Sequence, residues 1–166
     1  MKTLLVLAAL LCVPAAWANP LDGVVIVVID GDTVLFKPDH YHPSSRAFLK
    51  VRLAGIDAPE VGQPHGEAAT RALKDLALKQ RGRLHRVATD AYGRALGRLE
   101  IGGLDVNVEL VRRGHAWASS RDAADPLRGV QDAARSARRG LWGEVAPTPP
   151  WVWRRGQSAS PVADVR

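Results

Sequence analysis

The stretch VVIVVIDGDTVLF, Val24 to Phe36, constrains the fold more than any other part of the chain. Val24 to Ile29 is an unbroken β-branched run, and β-branched side chains pack well on a pleated strand. A continuous run of this kind suits a strand buried on both faces, and Thr33 to Lys37 predicts a second. Asp30-Gly31 between them is a hairpin signal. The same tripeptide, Asp30-Gly31-Asp32, sets two carboxylates into an apolar stretch. From these residues alone, a tight turn and a ligand-holding turn are both open.

The hairpin is followed by KPDHYHPSSR, a long exposed loop by its prolines and serines. Phe48 to Gly55 restores strand character, and IDAPEVGQPHG returns to loop. From Glu67 to Gln80 the period changes: Ala69, Leu73, Leu76 and Ala77 share one helical face, opposite Arg71, Lys74, Asp75 and Lys79. Arg83 to Ala88 and Arg94 to Ile101 predict two more strands around the turn TDAYGR. A second helix fits Leu104 to Arg113, with Leu104, Val108 and Val111 on one face and Gly114 as its stop. A third starts at Asp125-Pro126, carries Leu127, Val130, Ala134 and Ala137 on one stripe, and ends at Gly140. Residues 144–166 are rich in proline, tryptophan and arginine and predict an extended, partly disordered tail. About five short strands and about three helices suggest an α+β fold that is predominantly a β-barrel, of the oligonucleotide-binding (OB) type. An α+β sandwich is the other topology open.

The 166 residues suit one domain, expected over residues 19–143. Residues 1–18 have a secretory signal pattern: Lys2, an apolar run from Leu4 to Val13 and the small-residue site Ala16-Trp17-Ala18. The run is well short of the ~20 apolar residues a membrane span needs. An exported protein, periplasmic or secreted and free of the membrane after cleavage, is expected. Cys12, the one cysteine, lies in that segment and follows Leu11 rather than the small residue of a lipid-attachment site, so the mature chain is expected to hold no thiol. There are 23 Lys and Arg against 17 Asp and Glu, a net charge of +6 that favours polyanionic partners.

The second charged stretch is VRLAGIDAPE, Val51 to Glu60, where Arg52 sits inside an apolar strand and Asp57, Pro59 and Glu60 follow. A charge there is costly unless it is paired or used, so a salt bridge at a barrel end and a functional site are both open. In a straight strand Arg52 and Asp57 point to opposite faces; a bend at Gly55 or before Pro59 would bring them together. Arg94, after Tyr92-Gly93, is either an exposed turn arginine or a third member. Five histidines without cysteine partners or an H-E-x-x-H pattern do not predict zinc. Asn107 fits a buried side chain bonded to backbone, and Trp142, Trp151 and Trp153 fit docking against the barrel.

Together IDGDTV, VRLAGIDAPE, DAYGRALGRL, VNVELVRRGHA and ARRGLW, in this order, resemble the motifs of the staphylococcal nuclease-like, or thermonuclease, domain. The resemblance spans Val24 to Gly143. It implies a five-stranded OB barrel with three helices and a calcium-dependent phosphodiesterase acting on DNA and RNA, leaving 3′-phosphates. By position it implies Asp32, Asp57 and the backbone carbonyl of Ala58 as metal ligands, Arg52 and Arg94 as phosphate-binding arginines and Glu60 as the general base. Asp30 is implied as a supporting acid. Magnesium or manganese would suit two carboxylates as well. Ala58 replaces a threonine of better-known members, and WASSRDAADP lacks the tyrosines that some stack on a base. The loop with His40, Tyr41, His42 and Arg46 is a further candidate for touching the strand being cut, against an exposed hairpin loop. A monomer acting preferentially on single-stranded or unpaired nucleic acid is expected. The alternatives are a barrel that binds single strands without cutting them and a calcium-binding module, although a pure binder has no use for carboxylates that repel phosphate.

Overall fold

The hairpin signal at Asp30-Gly31 is realised: Val24 stands opposite Lys37 and Val28 opposite Val34 in an antiparallel pair. The structure, a computed structural model, describes residues 19–119 and 125–159; the expected export signal lies outside them. In chain order the elements are β1 (Leu21–Val28), β2 (Thr33–Pro38), β3 (Leu49–Leu53), β4 (Ile56–Asp57), α1 (Gly66–Ala77), β5 (Arg81–Thr89), β6 (Ala95–Ile101), β7 (Leu104–Asp105), α2 (Val106–Arg112), β8 (Trp117–Ala118), α3 (Pro126–Ser136), a 3₁₀ turn (Gly140–Gly143) and α4 (Pro150–Ala159).

β1 lies between β2 and β5, β2 pairs with β3 and β5 with β6, all antiparallel. A parallel pairing of β3 with β6, Val51 opposite Ala95, closes these five strands into a barrel. Closure leaves no edge along the main sheet to recruit another chain. Val25 of the β-branched run fills the barrel together with Val34, Phe36, Val51, Leu53, Leu84 and Leu99 from the other strands, and α1 and α2 cover it with Leu73 and Leu110. Asn107 of α2 is buried as expected: it accepts from Leu99 N–H at 3.1 Å and donates to Ala54 and Gly97 carbonyls at 2.8 and 3.2 Å. That side chain pins α2 across the β3–β6 closure. A second apolar cluster, Trp117, Ala134, Leu141 and Trp142, lies under α3.

Several boundaries differ from the sequence-based expectation. Leu104 and Asp105 pair with Ile101 and Glu100 as a strand, so α2 begins at Val106, and Asp105 caps it by accepting Val108 N–H at 3.1 Å. Its buried apolar face is accordingly Val106, Leu110 and Val111, while Leu104 is exposed. The first helix stops at Ala77 because the chain enters the left-handed region at Lys79, and α3 stops at Ser136 ahead of Arg138, left-handed too. Ile56 and Asp57, expected in loop, are held as a short strand against Ala118 and Trp117. The largest difference is the tail. Residues 150–159 are helical, with Pro150 at the first helical position and the Pro149 carbonyl accepting from Val152 and Trp153.

Candidate active site

The turn between β1 and β2 aims Asp32. Ile29 N–H donates to the Thr33 carbonyl at 2.9 Å, and the Asp30 carboxylate accepts Asp32 N–H at 3.0 Å. Gly31 is needed for space rather than for a left-handed φ: a Cβ there would lie 2.7 and 2.8 Å from the Cβ atoms of Ala58 and Ala69. The turn can therefore press against the loop after β4 and against α1. Asp32 is buried, at 3% exposure, with Oδ2 accepting Ala58 N–H at 2.9 Å and Oδ1 accepting the Thr33 hydroxyl at 3.0 Å.

Arg52 is the neighbour of that carboxylate by strand register. Thr33 stands opposite Arg52, and Leu53 N–H donates to the Asp32 carbonyl at 2.8 Å. Asp57 would lie on the other face of a straight strand, but Gly55 has φ +76°, a conformation costly for other residues, and turns the chain back. Arg52 Nη1 donates to Asp32 Oδ1, and Nη2 donates to Asp57 Oδ1 at 2.7 Å. Two buried carboxylates, one from the β1–β2 turn and one from β4, thus share one guanidinium. Burial is the main reason the Asp32 carboxyl rises to about 6, helped by the charge of Asp30 and opposed by Arg52 and Ala58 N–H. Burial alone would lower Arg52, but Asp32 and Asp57 outweigh it and hold the guanidinium charged.

Asp32, Thr33, Arg52 and Ala58 border a cleft of about 400 Å³ lined also by Asp30, Pro59, Glu60, Tyr92, Arg94 and Arg154. Arg94 precedes β6, and its Nε donates to Asp90 Oδ2 at 2.6 Å while Tyr92 lies 5.5 Å from its guanidinium. Desolvation, the largest single influence on the Asp90 carboxyl, would raise it, but the backbone N–H groups of Arg94 and Tyr92 that it accepts and the Arg94 guanidinium together hold it below the usual range. Glu60 stands at the mouth, its side chain 37% exposed, with its N–H donating to Gln63 Oε1 at 3.0 Å. The sequence-predicted residues Asp32, Arg52, Ala58, Glu60 and Arg94 therefore line one cleft, and Asp57, which does not line it, is bonded to two residues that do, Arg52 and Arg154. His40, Tyr41, His42 and Arg46 do not line it; Lys37 Nζ ties their loop back through the carbonyls of Pro43 and Ser45 at 2.7 and 2.9 Å.

Arg154 is the member that sequence reasoning does not supply. It arrives from α4, donating to Asp57 Oδ1 and Oδ2 at 3.2 and 2.8 Å and to Glu60 Oε1. The side-chain bond with Asp57 is the largest cause of its raised pKa. The one signal was spacing: Trp151 and Arg154 are three apart after a Pro-Pro pair, which places both on one face of a helix that starts at proline. Trp151 packs edge-on against Trp117, itself packed on Trp142, so these two tryptophans dock on β8 and the cluster under α3 rather than on the barrel as expected.

Asp32 and Asp57 are suited to a hard cation, since both are oxygen donors, both are buried and both converge on the same positive group. Among the described residues no three His, Cys, Asp or Glu side chains group around a common metal position. A cation held by the two aspartates would complete its shell with backbone, water or substrate oxygens.

Residues 50–144 match the family described as staphylococcal nuclease homologue. An uncharacterized endonuclease of Escherichia coli O157:H7 is 38% identical over 134 residues, 80% of this chain and 84% of the relative. The protein ParB of Escherichia coli is 37% identical over 161 residues, covering 90% and 87% of the two chains. A micrococcal nuclease of Shigella flexneri is 34% identical over 152 residues, covering 84% and 83%.

Proposed function

The chain belongs to the staphylococcal nuclease family, and from that premise we propose that it is a calcium-dependent nuclease hydrolysing phosphodiester bonds of DNA and RNA. The observation that carries the reading is the shared guanidinium: Asp32 and Asp57, 25 residues apart in sequence, are buried against Arg52 beside a cleft that also holds Glu60 and Arg94. Such a buried charge cluster is expensive as mere structure, since hydrophobic replacement of a buried ion pair is often neutral or stabilising.

Asp32 and Asp57 would hold the calcium, with the Ala58 carbonyl as a third oxygen, and the ion would polarise the phosphoryl group as a Lewis acid. Glu60, at the mouth where water has access, takes the proton of the attacking water. Arg52 and Arg94 stabilise the charge that builds on the phosphoryl oxygens, a task suited to planar, permanently charged forks. Asp90 and Tyr92 hold Arg94 at the rim, while Thr33 and Ala58 N–H orient Asp32. Breakage on the 5′-oxygen side leaves 3′-phosphate ends. The protein acts as a monomer on unpaired strands, which enter an open cleft more readily than a duplex does. The pattern of residues 1–18 supports export to the periplasm or beyond, away from the cell's own chromosome.

The test is incubation of folded protein with single-stranded and duplex DNA, in calcium or in chelator. Cleavage in calcium alone, faster on the single strand and ending in 3′-phosphates, is the expected result. Retardation of the strand without cleavage would instead indicate a binding barrel.

A further inference from the structure

The proposed cation site already holds a cation of the protein's own. Asp57 offers both of its oxygens to Arg154, one of them shared with Arg52, and Glu60 is bonded to Arg154 as well. A divalent ion at Asp57 must displace guanidinium N–H groups, and it would do so beside a fixed positive charge. The two arginines differ in how easily they can leave. Arg52 is fixed within β3 and its side chain is 21% exposed, whereas that of Arg154 is 47% exposed and sits on the last helix described.

The rest of the tail is fastened along the same loop that carries Glu60. His65 Nε2 lies 2.7 Å from Glu144 Oε1, Gln63 Nε2 donates to the Thr148 carbonyl at 2.6 Å, and Trp151 rests on Trp117 next to Asp57 in β4's partner strand. On the body's side Gln63 and Trp117 are buried, but on the tail's side Glu144, Trp151 and Arg154 are partly exposed, so α4 is held by a few separate polar and aromatic contacts that can be released together.

We propose that α4 is an autoinhibitory latch: Arg154 occupies Asp57 and Glu60 in the resting protein and competes with the divalent cation for them. The inference rests on the assignment of Asp32 and Asp57 as the cation site and goes beyond it in giving the tail a regulatory role. Because such coupling is reciprocal, the latch weakens metal binding and metal binding releases the latch. Release also frees Glu60 to meet water, so the tail suppresses ion binding and proton transfer through one side chain. High calcium, as outside a cell, favours the open form.

Calorimetric titration with calcium, without nucleic acid, compares the full chain with Arg154→Gln and Arg154→Lys. Arg154→Gln removes the competing charge and should bind calcium about ten-fold more tightly, within the usual range of coupling between sites. Arg154→Lys keeps the charge and should stay nearer the parent. In the parent, hydrogen exchange across residues 150–159 should quicken as calcium saturates, and Trp151→Ala should raise affinity by less than Arg154→Gln. Equal affinity in the parent and Arg154→Gln, or weaker binding in the variant, overturns the latch alone. No calcium binding by either protein overturns both the latch and the calcium site.

Discussion

The two sides of the cleft are built differently. Asp32 comes from the β1–β2 turn, Arg52 from β3, which pairs with β2, and Asp57 from the turn-back after Gly55; all three are fixed by backbone register and largely buried. Glu60 and Arg154 come from a loop and a terminal helix, both partly exposed, and hold each other. The barrel side is preorganised and costly to alter; the tail side is partly exposed, and the proposed latch requires it to move. Binding and charge stabilisation need the first property, since electrostatic groups act best when nothing must reorganise. Admission of ion and water needs the second.

The strongest way to break that division is at Arg52. Arg52→Ala leaves two buried carboxylates without their shared partner and should cost about 3–5 kcal/mol of stability. Arg52→Lys keeps the charge but not the fork, and should lower the cleavage rate on the order of 10²- to 10³-fold in protein that still folds. A rate within a few-fold of the parent would show that the barrel side does not stabilise the reacting phosphate.

Glu60→Gln probes the opposite side. It should slow cleavage roughly 10²-fold, the lower end for loss of general acid-base catalysis, with the melting temperature nearly unchanged because Glu60 is partly exposed. Near-native rates would reduce Glu60 to a partner of Arg154.

The third effect is on stability and follows from burial of Asp32. A carboxyl raised from 3.8 to about 6 in the folded chain holds its proton more tightly there than when unfolded. Its contribution is therefore fully present below the unfolded value and is lost as pH rises through about 6. In chelator, urea unfolding should show the parent losing on the order of 2–3 kcal/mol between pH 4 and 7 relative to Asp32→Asn, which has no such titration. Parallel pH profiles would contradict the buried, unliganded carboxylate.

The smallest effect is expected at Trp151. Trp151→Ala removes one edge-to-face contact with Trp117 and should lower stability by about 1 kcal/mol. Guanidinium unfolding with and without residues 144–166 would separate this contact from the rest of the tail.

The same division explains what the sequence could disclose. The barrel was legible because β-branched runs, Gly turns and three amphipathic helices in a fixed order leave few topologies, and Asp32 and Arg52 stand out as charges in apolar stretches. The meeting of Arg52 with Asp57 could be framed only as a condition on Gly55, because strand parity argues against it until the glycine adopts a left-handed conformation. Arg154 was barely legible, its spacing from Trp151 after the Pro-Pro pair being the one trace. Its role depends on a proline-rich segment being helical and docking Trp151 on Trp117, a tertiary contact that the spacing alone does not specify. The α2 boundary moved for a similar reason, since Leu104 and Asp105 are claimed by pairing with β6.

The most direct measurement is the cleavage rate of single-stranded DNA as a function of free calcium for the parent and Asp57→Asn. With the ion held between Asp32 and Asp57, the parent should be inactive in chelator and rise to saturation. The variant should need at least about ten-fold more calcium, a cost of roughly 1.4 kcal/mol for the lost ligand charge. Undiminished cleavage in chelator, or identical calcium dependence in both proteins, would contradict a cation site at the two buried aspartates.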